Sequence, residues 1–570
     1  MKKLYTIATT LVIALMTIDN SYAQVNFGGT TMSNDIVTWN DLYELSFTTH
    51  NYGTARSMGM GNAFTALGAD MVSASLNPAG IGMYVGSDVS ISPIMQFTKS
   101  PTSNSQPFSN FEDHSERFGL ANAGAVFTAY KGKGALTNIN VGFVYNRIAD
   151  FNQNSAFSSY GYDADNSIAN AFCTLSNIDN LKTFDDANGN LPLKERKMSF
   201  EGDPFYWGPT LAYKTGLTNK DSDGWFIDRI GNNAIVDQFS AEERRGSLGE
   251  YALTAGFNFM DIVYVGASLG FQSLNYKREV YYGENYSYAG GTQPSKEEMP
   301  YQIEYMNYAQ WTRLTGNGVN VKIGVTGRPV HWFRIGVAYH SPTFYTMTFR
   351  YGGEMSTGTK IVGDNPEDYD IDRWGVATPI WEDTGDYSWE YRTPSRLLAG
   401  VAFTISDRVI ISADYERSWY QTIRLTGSPI HNLSYTDSFK EYFKGSNTVR
   451  VGAEGYILPF LAARVGYIWS GSTLREGHKE DIFSRPLPTE QWYLTAGLGI
   501  KFNDHIYLDV AYQYGTTKYS SYMTHFANGS YTVTNPIDDT VETVDVDIRS
   551  NIFTTKTNRH IAVVTLGYRF

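Results

Sequence analysis

The stretch Thr54–Gly80, TARSMGMGNAFTALGADMVSASLNPAG, holds the residues whose types and spacing come nearest to a chemical site. Gly59-Met60-Gly61 ahead of an apolar helical pattern has the outline of a phosphate-binding turn. The details exclude it. A dinucleotide fingerprint needs a buried strand before the first glycine and a third glycine three residues after the second. His50 to Arg56 does not read as a strand, and Phe64 stands at the third glycine position. The Gly-Lys-Ser/Thr of a phosphate loop is missing. Other chemistries are also thinly represented. His340-Ser341 is an adjacent pair, but it falls within an expected strand and reads as an ordinary wall pair. No His-Ser or His-Asp constellation can be placed on one loop, so the chain is not expected to be an enzyme. Cys173 is the only cysteine, which excludes an intrachain disulfide framework and a multi-cysteine metal site. Neither a metal nor a cofactor is expected.

The elements around this stretch point to a membrane. The chain opens MKKLYTIATTLVIALMTIDNSYAQ, with a basic start, a short apolar run and a small-x-small site at Ser21-Tyr22-Ala23. That is an export signal over residues 1–23, with Gln24 as the first mature residue. After it there is no run of 18 apolar residues, and mean hydropathy is −0.31. A transmembrane barrel has that profile, because lipid-facing and lumen-facing residues alternate. Aromatic content of 15%, with 41 Tyr, suits interfacial girdles. A net charge of −13 argues against nucleic acid as a partner.

Period-two alternation recurs along the chain. In Gln491 to Phe502 one face is Trp492, Leu494, Ala496, Leu498, Ile500 and Phe502, and the other is Tyr493, Thr495, Gly497, Gly499 and Lys501. After Asn503-Asp504, Ile506, Leu508, Val510, Tyr512 and Tyr514 alternate against Tyr507, Asp509, Ala511 and Gln513. Such pairs are hairpin signals, at a length that spans a bilayer when tilted. Fourteen strands are expected, near 87–98, 118–130, 138–150, 249–259, 262–276, 315–328, 331–350, 394–405, 408–424, 446–457, 461–470, 490–502, 504–516 and 558–570. Tight turns at Met260-Asp261, Pro329-Val330, Ser406-Asp407, Leu458-Pro459 and Asn503-Asp504 alternate with long polar stretches. The largest of these, 151–248, reads as one external loop with helix around Pro209 to Leu217. Phe205 to Gly216 could instead be a fifteenth strand, which an odd count and Gly208-Pro209 oppose. Short turns on one side and long loops on the other are how outer-membrane barrels look. A soluble β-sandwich would rarely keep that order. The fold class is therefore all-β, a 14-stranded antiparallel transmembrane β-barrel, residues 87–570, with an N-terminal hatch of short helices in the lumen, within 24–86.

In the hatch, Phe64, Leu67 and Met71 sit at helical spacing, so Asn62 to Met71 reads as a short amphipathic helix. Asn77-Pro78-Ala79 reads as a cap followed by Pro at the first helical position. Alternation turns Lys322, Arg334, Asp414, Glu416, Arg464, Lys501 and Asp509 toward the lumen. They form either a mutually paired interior or a site where Lys322, Arg334, Arg464 or Lys501 meets a ligand carboxylate.

The stretch Gly53-Thr54-Ala55-Arg56, Met58-Gly59-Met60-Gly61, Ala63 to Asp70 and Asn77-Pro78-Ala79-Gly80 resembles the hatch of the FadL-type outer-membrane transporters. Val144-Tyr145-Asn146-Arg147 with Phe151-Asn152, Arg334 to Pro342, Thr393 to Arg396, Asp414-Tyr415-Glu416 and Arg450 to Glu454 add weaker matches. The resemblance implies a fourteen-stranded barrel, and hatch or gating positions at Arg56, Gly59, Gly61, Phe64, Leu67, Asp70, Met71, Asn77, Pro78 and Ala79. It implies passive transport of a hydrophobic small molecule, long-chain fatty-acid-like, which leaves laterally through a gap in the wall at the third strand. The alternative is an accessory or shuttle barrel of a secretion system with the same fold. The chain departs in the roughly thirty residues ahead of the hatch motif and in its long loops. The terminal strand Ile561 to Phe570 resembles the signal read by barrel assembly machinery, an expected partner through Phe570. Outer-membrane lipid is the other expected partner, and the barrel is expected to be a monomer in the outer membrane.

Overall fold

Backbone groups in hydrocarbon must all be paired, and a closed antiparallel barrel achieves this while each strand shows one face to lipid and one to the lumen. The computed structural model describes residues 45, 52–103, 111–182, 207–222, 226–231, 234–288, 301–361, 371–377, 388–406, 408–426, 439–440, 443–473, 475, 491–522, 526–534, 541–549 and 552–570. Fourteen wall strands run in chain order: β1 Asp88–Ser103, β2 Phe111–Lys131, β3 Leu136–Asp150 continued by Gln153–Asp163, β4 Ala234–Phe259, β5 Val263–Tyr288, β6 Tyr301–Val330 and β7 Phe333–His340 continued by Phe344–Ile361. The wall goes on through β8 Ser388–Arg392 with Arg396–Ile405, β9 Val409–Trp419 with Arg424–Thr426, β10 Gly445–Leu458, β11 Leu461–Ser470, β12 Gln491–Lys501, β13 Ile506–Tyr522 and β14 Ile552–Arg569. Each pairs antiparallel with its sequence neighbours. β14 pairs with β1, Tyr568 opposite Val89, and closes the cylinder. Ser87 and Phe570 exchange backbone hydrogen bonds of 3.0 Å, so the last residue of the chain completes the seam.

The expected alternation holds strand by strand. Tyr493 and Thr495 are buried while Leu494, Ala496 and Leu498 are exposed, and Asp509, Ala511 and Gln513 are buried while Val510 and Tyr512 are exposed. Val141, Phe143, Leu253, Ile323, Val337, Val465, Val510 and Leu566 form part of an exposed apolar belt around the wall. An exposed belt of that kind on a closed cylinder is a lipid-facing surface, and the barrel is of the outer-membrane kind. No helix among the described residues is long and apolar enough to cross a membrane.

Two turns lie further along than expected. Phe333 still pairs with Val330, so the β6–β7 turn is His331-Trp332, and Leu458 still pairs with Leu461, so the β10–β11 turn is Pro459-Phe460. Met260 and Asp261 take φ of 53° and 56°, the left-handed pair that suits a tight hairpin. On the other side the wall rises well above any bilayer. β4 and β5 each run 26 residues and β6 runs 30, where about ten suffice to span. The stretch 151–248 is therefore not one loop. Its ends are strand, Gln153–Asp163 pairing with Ile235 to Arg244. Between them lie helices Ile168–Lys182 and Trp207–Thr215. The segment that might have been a fifteenth strand is helical.

Candidate functional site: the hatch, a wall break and the lumen above

Residues 52–87 sit inside the cylinder at the short-turn end, and most are buried. Thr54 caps a helix over Ala55–Gly59, accepting from Ser57 N. Asp70 caps a 3₁₀ turn over Met71–Ala74, accepting from Val72 N at 3.0 Å and from the Thr54 hydroxyl. Asn77 caps Pro78–Met83, its Oδ1 accepting from Ala79 N at 3.1 Å, with Pro78 at the first position as expected. The helix expected over Asn62 to Met71 does not form. Gly61, Asn62, Gly68 and Ala69 all take positive φ, 62°, 54°, 75° and 51°, which breaks any right-handed run. Phe64 and Leu67 still share a face, packing with Ala338, Leu398 and Ala402 of the wall, while Met71 packs with Val126, Val144 and Ala252.

The small residues of the hatch meet small residues of the wall. Gly59 lies against Gly497, and its carbonyl accepts from Thr495 Oγ1 at 3.0 Å. Gly61 lies against the backbone of Tyr467 and Val451. A Cβ on Gly266 would fall 2.2 Å from Pro78, one on Gly324 1.9 Å from Asn77 Oδ1, and one on Gly336 2.2 Å from Thr65 O. Asn77 Nδ2 donates to Thr65 O at 2.6 Å and Thr326 Oγ1 at 3.1 Å, so it ties the fold-back to itself and to β6.

The lumenal charges are paired rather than offered. Arg56 reaches from the hatch to grip Glu454 on β10 with both Nε and Nη2, at 3.0 and 2.9 Å, and its guanidinium lies 5.5 Å from the Phe64 ring centroid. Arg464 holds the same Glu454 and Asp509 at 2.6 Å each. Lys322 is buried and bonds Glu250 at 2.6 Å. Asp414 accepts from Thr65 N at 2.8 Å, and Glu416 pairs with Arg450 at 2.6 Å and Arg396 at 3.5 Å. Arg334 is half-buried on β7, and Lys501 is exposed with its ammonium 5.3 Å from the Tyr456 ring. The four expected ligand cations are not brought together. Arg464 and Lys501 line a cavity of about 390 Å³ at the short-turn mouth, with Arg56, Tyr84, Tyr507 and Phe570. Lys322 lines a separate cavity above the hatch. Sequence reasoning placed both Arg464 and Asp509 in the lumen, but it did not count Glu250 or Glu454 among the lumenal charges. The hairpin register alone places Glu454 opposite Arg464.

The wall itself has a break at β3. β2 and β3 pair from Lys131 opposite Asn138 up to Asn122 opposite Asn146, and among the described residues their ladder stops there. Beyond it β2 pairs with β1, and β3 pairs with β4 through an irregularity at Arg147/Ala149. Side chains fill the interval. Arg147 Nε donates to Leu120 O at 3.1 Å, and its Nη1 bonds Asp150. Gln96 Nε2 donates to Asp150 at 3.2 Å, Arg117 bonds Asn152, and Tyr52 of the hatch segment donates to Gln96 at 2.8 Å. Of these, Arg147 and Asn152 belong to the Val144 to Arg147 and Phe151-Asn152 motif.

Above the hatch the lumen holds a large apolar cluster beside buried, paired charges such as Glu242 with Arg244 and Arg278. Ile148, Leu248, Leu274, Tyr276, Ile303, Met306, Tyr308, Met347 and Trp389 from the wall join Ile168, Phe172, Leu211 and Leu217 from the helical segment in one buried cluster. Glu284 fixes that segment to the wall. Its buried carboxylate accepts from Ser167 Oγ at 2.5 Å, Ile168 N at 2.9 Å, Gln238 Nε2 at 2.9 Å and Tyr286 OH at 2.7 Å. Gly266-Ala267-Ser268-Leu269-Gly270 has the G-x-S-x-G spacing of a nucleophile elbow, a motif that sequence reasoning took to be absent from the chain. It lies mid-strand in β5, without the strand-to-helix turn that motif needs, and Ser268 donates to Thr254 Oγ1 at 2.8 Å.

No protein-family model and no curated protein matches the chain. Among solved structures it is similar to the P. putida toluene transporter TodX, at 10% identity over 91% of this chain and 99% of that one, with a TM-score of 0.46. It is similar to the Ralstonia pickettii toluene transporter TbuX, at 14% identity over 92% and 99%, TM-score 0.42. A Pseudomonas aeruginosa FadL homologue is similar at 10% identity over 92% and 98%, TM-score 0.42.

Proposed function

We propose that the protein is a passive channel for hydrophobic molecules, of the size of a medium- or long-chain fatty acid, and not an enzyme. One observation carries the reading: a buried apolar cluster joins the helical segment to the wall and includes Ile148 and Leu248, beside the β2–β3 break. Water and ions gain nothing from such a lining, whereas an alkyl chain entering it sheds its hydrophobic hydration at roughly 0.8 kcal/mol per CH₂. The hatch closes the direct route to the short-turn side. The exit that remains is sideways, past Arg147, Asp150 and Asn152, into the bilayer. In this reading Arg56, Asn77 and the small residues hold the hatch shut, and Phe64, Leu67 and Met71 seat it.

The test is uptake of radiolabelled dodecanoate by cells lacking their own hydrophobic channels. Expression should raise the rate by about tenfold, equivalent to a barrier lowered by about 1.4 kcal/mol. Uptake no faster than in cells with an empty vector, from a barrel shown to be inserted, would reject transport and favour an accessory role in secretion.

A further inference from the structure

The cavity of about 390 Å³ at the short-turn mouth lies on the other side of the hatch from the apolar cluster and shares no lining residue with it. Its size falls within the range of about 300–1,000 Å³ usual for small-molecule sites, and it is far larger than a single water needs. Tyr84 of the hatch and Arg464 of β11 form its floor, 5% and 6% exposed. Lys501, Asp504 and His505, all exposed, stand at its rim. Met83, Phe460 and Ile500 add an apolar side.

The lining keeps hydrogen-bond donors in reserve. Arg464 uses Nε on Glu454 and Nη1 on Asp509, and Arg56 uses Nε and Nη2 on Glu454, so each guanidinium keeps one amino nitrogen that bonds no described residue. The backbone of Tyr84 is tied to Asn138 and Ile81, but its hydroxyl bonds no described residue. The Lys501 ammonium has the Tyr456 ring 5.3 Å away and no carboxylate partner among the described residues. The lining holds two carboxylates against four cations: Arg464 holds Asp509, Asp504 stands at the exposed rim, and Arg569 is held by Asp88 from behind the lining.

A ligand that accepts hydrogen bonds satisfies these donors, and an apolar body covers Met83, Phe460 and Ile500. We infer that the mouth cavity is a second ligand site, which takes a carboxylate carried on a compact apolar body. The carboxylate meets Arg56, Arg464, Tyr84 and Lys501, and hydrogen bonds with an ionised partner are roughly twice as strong as neutral ones. A neutral amide of the same shape forfeits that gain. Ligand reaches the site from the short-turn side without passing the hatch, so the site does not depend on the sideways exit. Arg56 is also the grip of the hatch on Glu454, so an anion here touches the contact that holds the hatch to β10.

The experiment is isothermal titration of the detergent-solubilised full-length barrel with naphthylacetate and, separately, with naphthylacetamide, folding being checked by heat-modifiable gel mobility. The unsubstituted chain should bind the acid about tenfold more tightly than the amide. Lys501→Glu, which sets a like charge against the carboxylate, and Tyr84→Phe, which removes one donor, should each weaken acid binding by about tenfold. Lys277→Gln, at an exposed cation on the outer extension of β5, should leave it unchanged. Equal affinity for acid and amide, or acid binding untouched in folded Lys501→Glu and Tyr84→Phe proteins, would overturn the site. So would a loss in Lys277→Gln as large as in Lys501→Glu, or no acid binding by the unsubstituted chain.

Discussion

Gly266 and Gly134 differ in nothing a sequence displays, yet they are opposite cases. A Cβ on Gly266 would fall 2.2 Å from the carbonyl of Pro78, whereas one on Gly134, in the β2–β3 turn, meets nothing within 4 Å. Gly266→Ala should therefore lift the hatch from its seat, with an overpacking cost of about 1–3 kcal/mol, and Gly134→Ala should be silent. The measurement is limited trypsin digestion of the solubilised barrel. Cleavage at Arg56 should appear in the first variant and not the second, and equal resistance would show that the hatch is seated elsewhere. The sequence did show that small residues in 54–80 had to meet something closely. It could not show what, because the partners of Asn77 and Gly59 lie more than 240 and 430 positions away. The charged residues were half legible for the same reason. Alternation put Lys322 and Arg464 inside, but whether a lumenal cation is free depends on the carboxylate across the sheet, and Glu250 and Glu454 satisfy both.

At the scale of elements, the strands were readable where lipid enforces strict alternation and hard to bound where it stops. β13 shows this. Val510 stands outward in the apolar belt, 44% exposed, with Asp509 and Ala511 inward on either side. Val510→Arg should cost about 2–4 kcal/mol near the middle of the membrane, measured by urea unfolding in lipid. An effect well below 1 kcal/mol would place Val510 outside the hydrocarbon. Above the bilayer no apolar solvent selects residue types, so strands such as Glu242 to Arg244 on β4 read as polar loop, although they are paired throughout with β5. The hatch helix over Asn62 to Met71 failed from the other direction. Its apolar spacing was real and its side chains are buried, but Asn62 and Ala69 hold left-handed backbone, and the surrounding wall keeps them there. The Asn77 cap, by contrast, needed only local chemistry, and it formed as written.

At the scale of the whole molecule, three features stack along one axis: an apolar cluster pinned above by Glu284, a hatch locked below by the Arg56–Glu454 grip and the wall glycines, and a break in the ladder at the level between them. The count of fourteen strands and their closure were accessible from the alternation of short and long connections. The break was not, because it consists of pairings that are missing; a gap at the third strand was expected from the family resemblance alone. The proposed exit for ligand is this break. It is tested most directly by bridging it. In the full chain, Arg117→Cys and Asn152→Cys place thiols at two side chains that now touch across the interval, and the native Cys173 is buried. A short bifunctional thiol reagent with a reducible linker should stop dodecanoate uptake in cells carrying this double variant, and reduction should restore it. Uptake that continues unchanged in the fully bridged protein would exclude exit through the break and direct attention to the mouth beside Arg56 and Lys501.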